Sequence, residues 1–256
     1  MQNRTNSSGA ADGTPVDLPA LAGALDAALE LRLPPVALAF AAERPDGIPE
    51  FRDEVPSACA LWRRAEEGVF FASAAAHANC PIGMMTMGFA MSDEQKQTLM
   101  ELVGQIGGMG YVDPAEAANI PSVPGEKGGI VYGPLASFPG TPDVVLLWVS
   151  GKAAMLLSEA SGSARWTADQ HGTPTFGRPS CAAIPVAVKN DTPTFSLGCT
   201  GMRTFTAVEP ELQLAVLPKA VLPGLHERLE AMTVINAQMA QYYAAQQARF
   251  ARGTAV

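Results

Sequence analysis

The residues with the most chemistry to offer are four cysteines, and they come as two matching pairs. Cys59 and Cys80 stand 21 positions apart, Cys181 and Cys199 18 apart. "SACAL" around Cys59 resembles "PSCAA" around Cys181, and "CPIGMMT" from Cys80 resembles "CTGMRT" from Cys199 once one residue is skipped. Each pair follows a Pro-led apolar segment, "PPVALAF" or "PDVVLLWV". In each half the second cysteine follows a Phe-containing segment, "VFFAS" or "TFSLG". This repetition predicts two half-units related by a pseudo-two-fold axis, an arrangement that would bring four thiols to one central site. Converging thiolates usually serve a metal. The alternative is core packing, because free cysteine is among the most buried residue types.

Structural zinc draws two ligands from one tight Cys-x-x-Cys turn, and the chain has no such turn. Single ligands on separate loops suit a cubane, whose irons can be reached from separate elements. Gly83, Gly198 and Gly201 beside the cysteines would let backbone amides approach sulfur. The expectation is a [4Fe-4S] cluster on Cys59, Cys80, Cys181 and Cys199. Arg203, four residues beyond Cys199, and Lys152, at the start of a helical segment, are the candidate contacts for a small anionic substrate.

The run "HANCPIGMMTMGFAM", residues 77–91, offers a rival site. His77, Cys80 and Met84 fall at steps of three and four, and their donors suit copper or haem iron. Cys80 with His77 could also pair as nucleophile and base, although nothing supplies a third member. His171 and His226 receive no role. A G-x-S-x-G elbow, a Walker loop and a strand-led G-x-G-x-x-G are all missing from the sequence. Two functions remain. One is a redox or cluster-dependent enzyme acting on a small ligand or redox partner. The other is a non-catalytic carrier or sensor of haem, copper or another metal.

The elements that must position these residues are legible from periodicity. Asp17 can cap a helix with Leu18, Leu21, Leu25 and Leu29 on one face. Short apolar runs at Val36–Phe40, "VFFAS", "GIVYGPL", "PDVVLLWV", "AAIPVAV", "TFSLGC" and "LQLAVLP" read as strands. "ACALWRRAEEG" and "GKAAMLLSEAS" read as helices. Ser92 to Gln95 matches a capping box opening a helix that would bury Leu99, Leu102, Val103 and Ile106 and stop at Gly107-Gly108. Residues from there to Thr141, apart from "GIVYGPL", and Gly162 to Arg178 read as irregular. From near Pro223 a long helix carries Leu225, Leu229, Met232, Asn236, Met239 and Tyr243 in one seam. That seam can face its own domain or a second subunit. The fold class is α/β or α+β: a single mixed-sheet domain over 17–222 with a pseudo-two-fold duplication. A polar tail over 1–16, read as disordered, precedes it, and a C-terminal helix and tail over 223–256 follow.

Charged residues make up only 16% of the 256-residue chain and the net charge is −8, so a uniform phosphate-binding surface, and with it nucleic acid as a partner, is not expected, while a local basic pocket stays open. The uncharged stretch from Phe70 to Met91 is about as long as a membrane span. It contains His77, Asn79, Pro81, Gly83 and Gly88, which lipid does not tolerate well, so it reads as soluble core. The tail has no apolar export signal, which points to a cytoplasmic protein with reduced cysteines and no disulfide.

The order "LPPVALAF", Cys59 with "RRAEEG", "NCPIG", "VYGPL", "PDVVLLWV", "PSCAAIP" and "SLGCTGMRTF" resembles the family called domain of unknown function 169, the ArCR proteins. The resemblance runs from about Leu18 to about Pro223. It implies that Cys59, Cys80, Cys181, Cys199 and Arg203 lie at recurrent motif positions. The family supplies no activity, but many of its members occur in anaerobes, which favours an oxygen-sensitive cluster.

Overall fold

The computed structural model describes residues 15–162, 175–176 and 179–253. Most of the polar tail, His171 and most of the stretch read as irregular between Gly162 and Arg178 therefore lie outside the described residues. The elements in chain order are α1 (Leu18–Leu29), β1 (Val36–Ala41), α2 (Ala60–Arg64), β2 (Phe70–Ser73), α3 (Pro81–Met87), α4 (Asp93–Gly108) and α5 (Pro114–Ala117). They continue with β3 (Gly129–Pro134), β4 (Val144–Val149), α6 (Gly151–Ala160), β5 (Thr175–Phe176), α7 (Ala183–Asn190), β6 (Thr194–Ser196), α8 (Thr200–Thr206), β7 (Gln213–Pro218) and α9 (Leu225–Gly253).

Local chemistry fixes several of these elements as the sequence predicts. The Asp17 carboxylate accepts from the Ala20 amide at the start of α1. Ser92 and Gln95 make both bonds of the capping box at α4. Several segments differ: α3, α5, β5 and α8 form where periodicity gives no element, and one segment changes type. "AAIPVAV", expected as a strand, lies in and just before α7. Pro185 falls in the first turn, where its missing N–H is not needed, and Ala183, Ile184 and Ala187 share a buried face.

Six strands form an antiparallel sheet in the order β2-β3-β1-β4-β7-β6, with β5 beside β6 in parallel. The order is symmetric about the β1–β4 pair. Registers repeat as well: Val36 pairs with Pro134 and Val144 with Pro218, while Phe70 pairs with Tyr132 and Thr194 with Val216. In each half the last strand inserts between two earlier ones, β3 between β1 and β2 and β7 between β4 and β6. The strands after Pro35 and Pro142 thus hold equivalent places, as a duplication requires. Asp143, in the Pro-Asp-Val-Val motif, accepts from the Phe40 amide at 2.9 Å, so its side chain extends the bonding between the halves past the last strand pair.

Alternation along the strands splits the core in two. Val36, Leu38, Ile130, Tyr132, Val144, Leu146, Leu214 and Val216 face a layer containing α2, α3, α7 and α8. Ala37, Val131, Val145, Leu147, Ala215 and Leu217 face α1, α6 and the first turns of α9. The α9 seam divides accordingly. Leu225 and Leu229 are buried, and Asn236 donates to Glu159 of α6 at 2.7 Å. Met239 and Tyr243, expected in the same seam, are exposed.

Two connections break the symmetry: 150–182, with α6 and β5, is longer than its counterpart 42–59, and a long insertion follows α3. Residues 88–128 separate α3 from β3, whereas 207–212 suffice between α8 and β7. The insertion holds α4 and α5 and is anchored where Val123 N–H donates to the Thr86 carbonyl. Gly88 turns the chain into it with φ +76°, and a Cβ there would run into the Val123 carbonyl oxygen. Gly88→Ala should therefore lower stability by roughly 2–3 kcal/mol. Gly104→Ala, in open space on α4, should raise it by about 0.5–1 kcal/mol. Urea denaturation of both variants checks the contrast, and equal effects would contradict the packing described.

Candidate functional site

All four cysteines line one cavity of about 450 Å³. They reach it from equivalent places in the two halves. Cys80 and Cys199 are the N-cap residues of α3 and α8. Cys59 is the N-cap residue of α2, and Cys181 sits in the single 3-10 turn (Ser180–Ala182) that leads into α7. The helices interlock across the axis: α2 packs on α8, and α3 packs on α7. These two contacts are pseudo-symmetric counterparts, so the thiol-bearing turns face one cavity where the halves cross.

Short polar contacts fix the thiol-bearing turns. Ser57 Oγ lies 2.9 Å from Cys59 Sγ, and Ser180 Oγ accepts from the Cys199 amide at 2.6 Å. Cys199 Sγ accepts from the Met202 amide at 3.4 Å, in the first turn of its helix. Gly83 stands under Cys80, and a Cβ at that position would lie 2.9 Å from the Cys80 sulfur and 2.6 Å from the Ala58 methyl. The glycine lets the thiol fold onto its own helix.

Burial pushes the Cys59 thiol up to about 11. The Ser57 hydroxyl pulls it part of the way back, and Cys80 and Cys199 raise it further. Cys181 is also pushed up, again by burial first. The Thr86 hydroxyl opposes that shift, and the other three cysteines add to it. Mutual effects of this kind require thiols within each other's field. Cys59 and Cys181 are therefore neutral thiols at pH 7 in the metal-free chain, and all four cysteines are free. A bound cation would reverse that balance. Among the described residues, no three His, Cys, Asp or Glu side chains form a group able to hold a single metal ion. The thiols border the cavity and do not close on one point.

The other residues expected at the site stand apart from the cavity. Arg203 lies on α8 but turns its guanidinium to the backbone carbonyls of Leu197, Leu212 and Glu209, where it ties the ends of the β6–β7 connection. Lys152 lies on α6, on the opposite face of the sheet, paired with Glu30 at 2.9 Å and exposed. Neither side chain lines the cavity beside the cysteines. Among the described residues, no lysine or arginine lines the cavity. His226 is on α9 beside Glu227, 3.1 Å away.

His77 is buried and both ring nitrogens are engaged: Nδ1 donates to the Ser73 carbonyl at 2.8 Å, and Nε2 accepts from the Tyr132 hydroxyl at 3.0 Å. Met84 packs in the core beneath the helices. The proposed copper or haem triad therefore leaves only Cys80 on the cavity wall.

The sequence reading missed the roof. Leu102, Val103 and Ile106 of α4 were expected in the core, yet they are half-buried and line the cavity with Ile120. Tyr111 belongs there too, its hydroxyl accepting from the Thr200 amide at 3.2 Å. The signal was a narrow apolar stripe on an otherwise polar helix, too thin to cover a sheet face.

Burial of His77 pulls its pKa down to about 4 from the usual 6.5. Between those values the unfolded chain binds a proton that the folded one refuses. Stability is thus complete above pH 6.5 and falls as pH drops towards 4, by up to about 3 kcal/mol. Urea midpoints of the native protein and His77→Gln, followed from pH 7.5 to 4, should show a clearly flatter acid slope in the variant. Parallel slopes would refute the assignment.

Among the described residues no helix is long and apolar enough to cross a membrane. No curated protein and no solved structure gives a significant match. A family model described as uncharacterised ArCR, domain of unknown function 169, matches residues 24–228. That span takes in both halves, all four cysteines and the roof, and it stops after the first turn of α9. The chain belongs to the domain of unknown function 169 family.

Proposed function

We propose that the protein binds an iron–sulfur cluster, in the form [4Fe-4S], on Cys59, Cys80, Cys181 and Cys199, and works as a redox or cluster-dependent protein. One observation carries this reading: each pseudo-symmetric half delivers two thiols, from equivalent turns, to the wall of the same cavity. The donor set fits the group, since four soft sulfur ligands on four separate elements are the ligand type that a cubane takes. Gly83 fits it too, because it leaves Cys80 close against backbone. When bound, such a cluster supplies one-electron transfer, or Lewis acidity if one iron lacks a protein ligand. The chain's own part is to hold the thiols and exclude bulk water. Free thiols fit a reducing, cytoplasmic setting. The alternative, a carrier or sensor of haem or copper, would need His77 to abandon two buried hydrogen bonds.

Anaerobically purified or reconstituted protein should contain about four irons and four acid-labile sulfides per chain, with a broad absorption near about 400 nm. Each Cys→Ser change should lower iron content and bleach that band. Unchanged iron in all four variants, or no iron in the native protein after reconstitution, would overturn the reading.

We also propose that α9 pairs with a second copy of itself. Ala231 to Ala248 carry no charge, and Val234, Ile235, Met239, Tyr242 and Tyr243 are exposed along that stretch. Glu227 and Glu230 lie before it and Arg249 after it, so antiparallel pairing sets opposite charges side by side. The full chain should sediment as a dimer and a chain ending at Gln238 as a monomer. A monomeric full chain would rule this pairing out.

A further inference from the structure

The cavity is larger than its thiol floor, and the way it is built indicates a second occupant. Its roof comes from the 88–128 insertion, which has no counterpart of similar length in the other half. A capping box and a glycine turn have been added to close one side of an otherwise symmetric site. The inner face of α4 (Leu102, Val103 and Ile106) is not used by the sheet core, and no residue of that helix is fully buried. Ile82, Met202 and Phe205 extend the apolar wall opposite.

Apart from Trp62, whose buried Nε1 has no hydrogen-bond partner among the described residues, the uncharged polar side chains in the wall are engaged within the protein. Ser57 engages Cys59, Asn79 donates to the Val55 carbonyl, Ser180 accepts from Cys199, and Tyr111 accepts from Thr200. Glu116 is the charged member of the wall and lies at its exposed edge. An anion would meet hydrocarbon and a carboxylate. A hydrocarbon chain or ring would lose water on all sides, at a gain of roughly 25 cal/mol per Å² buried.

We infer that the chamber between the four cysteines and the α4 roof binds an uncharged, predominantly hydrocarbon small molecule and holds it against the thiol site. This rests on the cluster reading only for what the molecule would do there, since its binding depends on the walls alone. It replaces the anionic substrate expected from Arg203 and Lys152. The insertion thereby becomes the element that selects the ligand, while the duplicated halves hold the sulfur.

The test uses the full-length protein, both free of iron and reconstituted. Nile red, a neutral fluorophore, should bind the iron-free protein saturably and be displaced by 1-decanol at least about tenfold better than by decanoate. Leu102→Gln and Ile106→Gln should each weaken Nile red binding by about tenfold or more without lowering the melting temperature, because neither side chain is in the core. Met100→Gln, on the outer face of α4, should leave binding unchanged. Iron content after reconstitution should be the same in all three variants. Equal affinity in the roof variants, preference for decanoate, or no saturable binding would each overturn the inference. Failure of the native protein to take up iron would remove the cluster and leave the titration of the iron-free chamber standing.

Discussion

The antiparallel pairing of β1 with β4 is the contact on which the rest of the molecule depends. Val36, Ala37 and Leu38 lie opposite Leu146, Val145 and Val144, and Asp143 continues the bonding to the Phe40 amide after the strand pairing ends. Without that pairing each half would expose a long apolar strand at a sheet edge, a template for aggregation. With it, two three-stranded units, the second extended by β5, become one sheet. Pairing also fixes which face each connection takes, because a one-residue slip would turn every side chain over. Both cysteine-bearing connections of each half consequently reach the same side of the sheet.

From that constraint the thiol site follows by packing. Helices α2 and α8 pack across the axis, as do α3 and α7, so the turns before them are brought together. Burial there is costly for a charged group, and Cys59 and Cys181 answer it by holding their protons. The same logic governs His77, which stays neutral between Ser73 and Tyr132 and serves as a strut beneath the cysteines.

The two faces of the sheet have separate tasks. The face with α1, α6 and α9 supplies apolar mass: Leu21, Leu25, Leu157, Leu225 and Leu229 are almost wholly inaccessible. The opposite face carries the thiols, and there the symmetry is broken by one insertion. Duplication explains the paired cysteines and leaves the chamber above them to be closed by α4 and α5. The thiols and the roof of the cavity thus lie on different segments of one chain.

Much of this was determined by local sequence. Asp17 and the Ser92–Gln95 box set helix starts because their hydrogen bonds lie within three residues. Alternating or continuous apolar runs set β1, β3, β4 and β7 because pleat and burial are periodic. The paired cysteine flanks and the two Pro-led segments were enough to expect a duplication. Tertiary structure decided what periodicity leaves open. It made "AAIPVAV" a helix, because Pro185 is harmless in a first turn and the buried face of Ala183, Ile184 and Ala187 had a sheet to cover. It turned Arg203 to backbone carbonyls and carried Lys152 to the far face, since a charge's position in sequence says nothing about which layer its helix joins. It left Leu102, Val103 and Ile106 facing a cavity, because an apolar stripe specifies burial against something without specifying whether the partner is core or chamber.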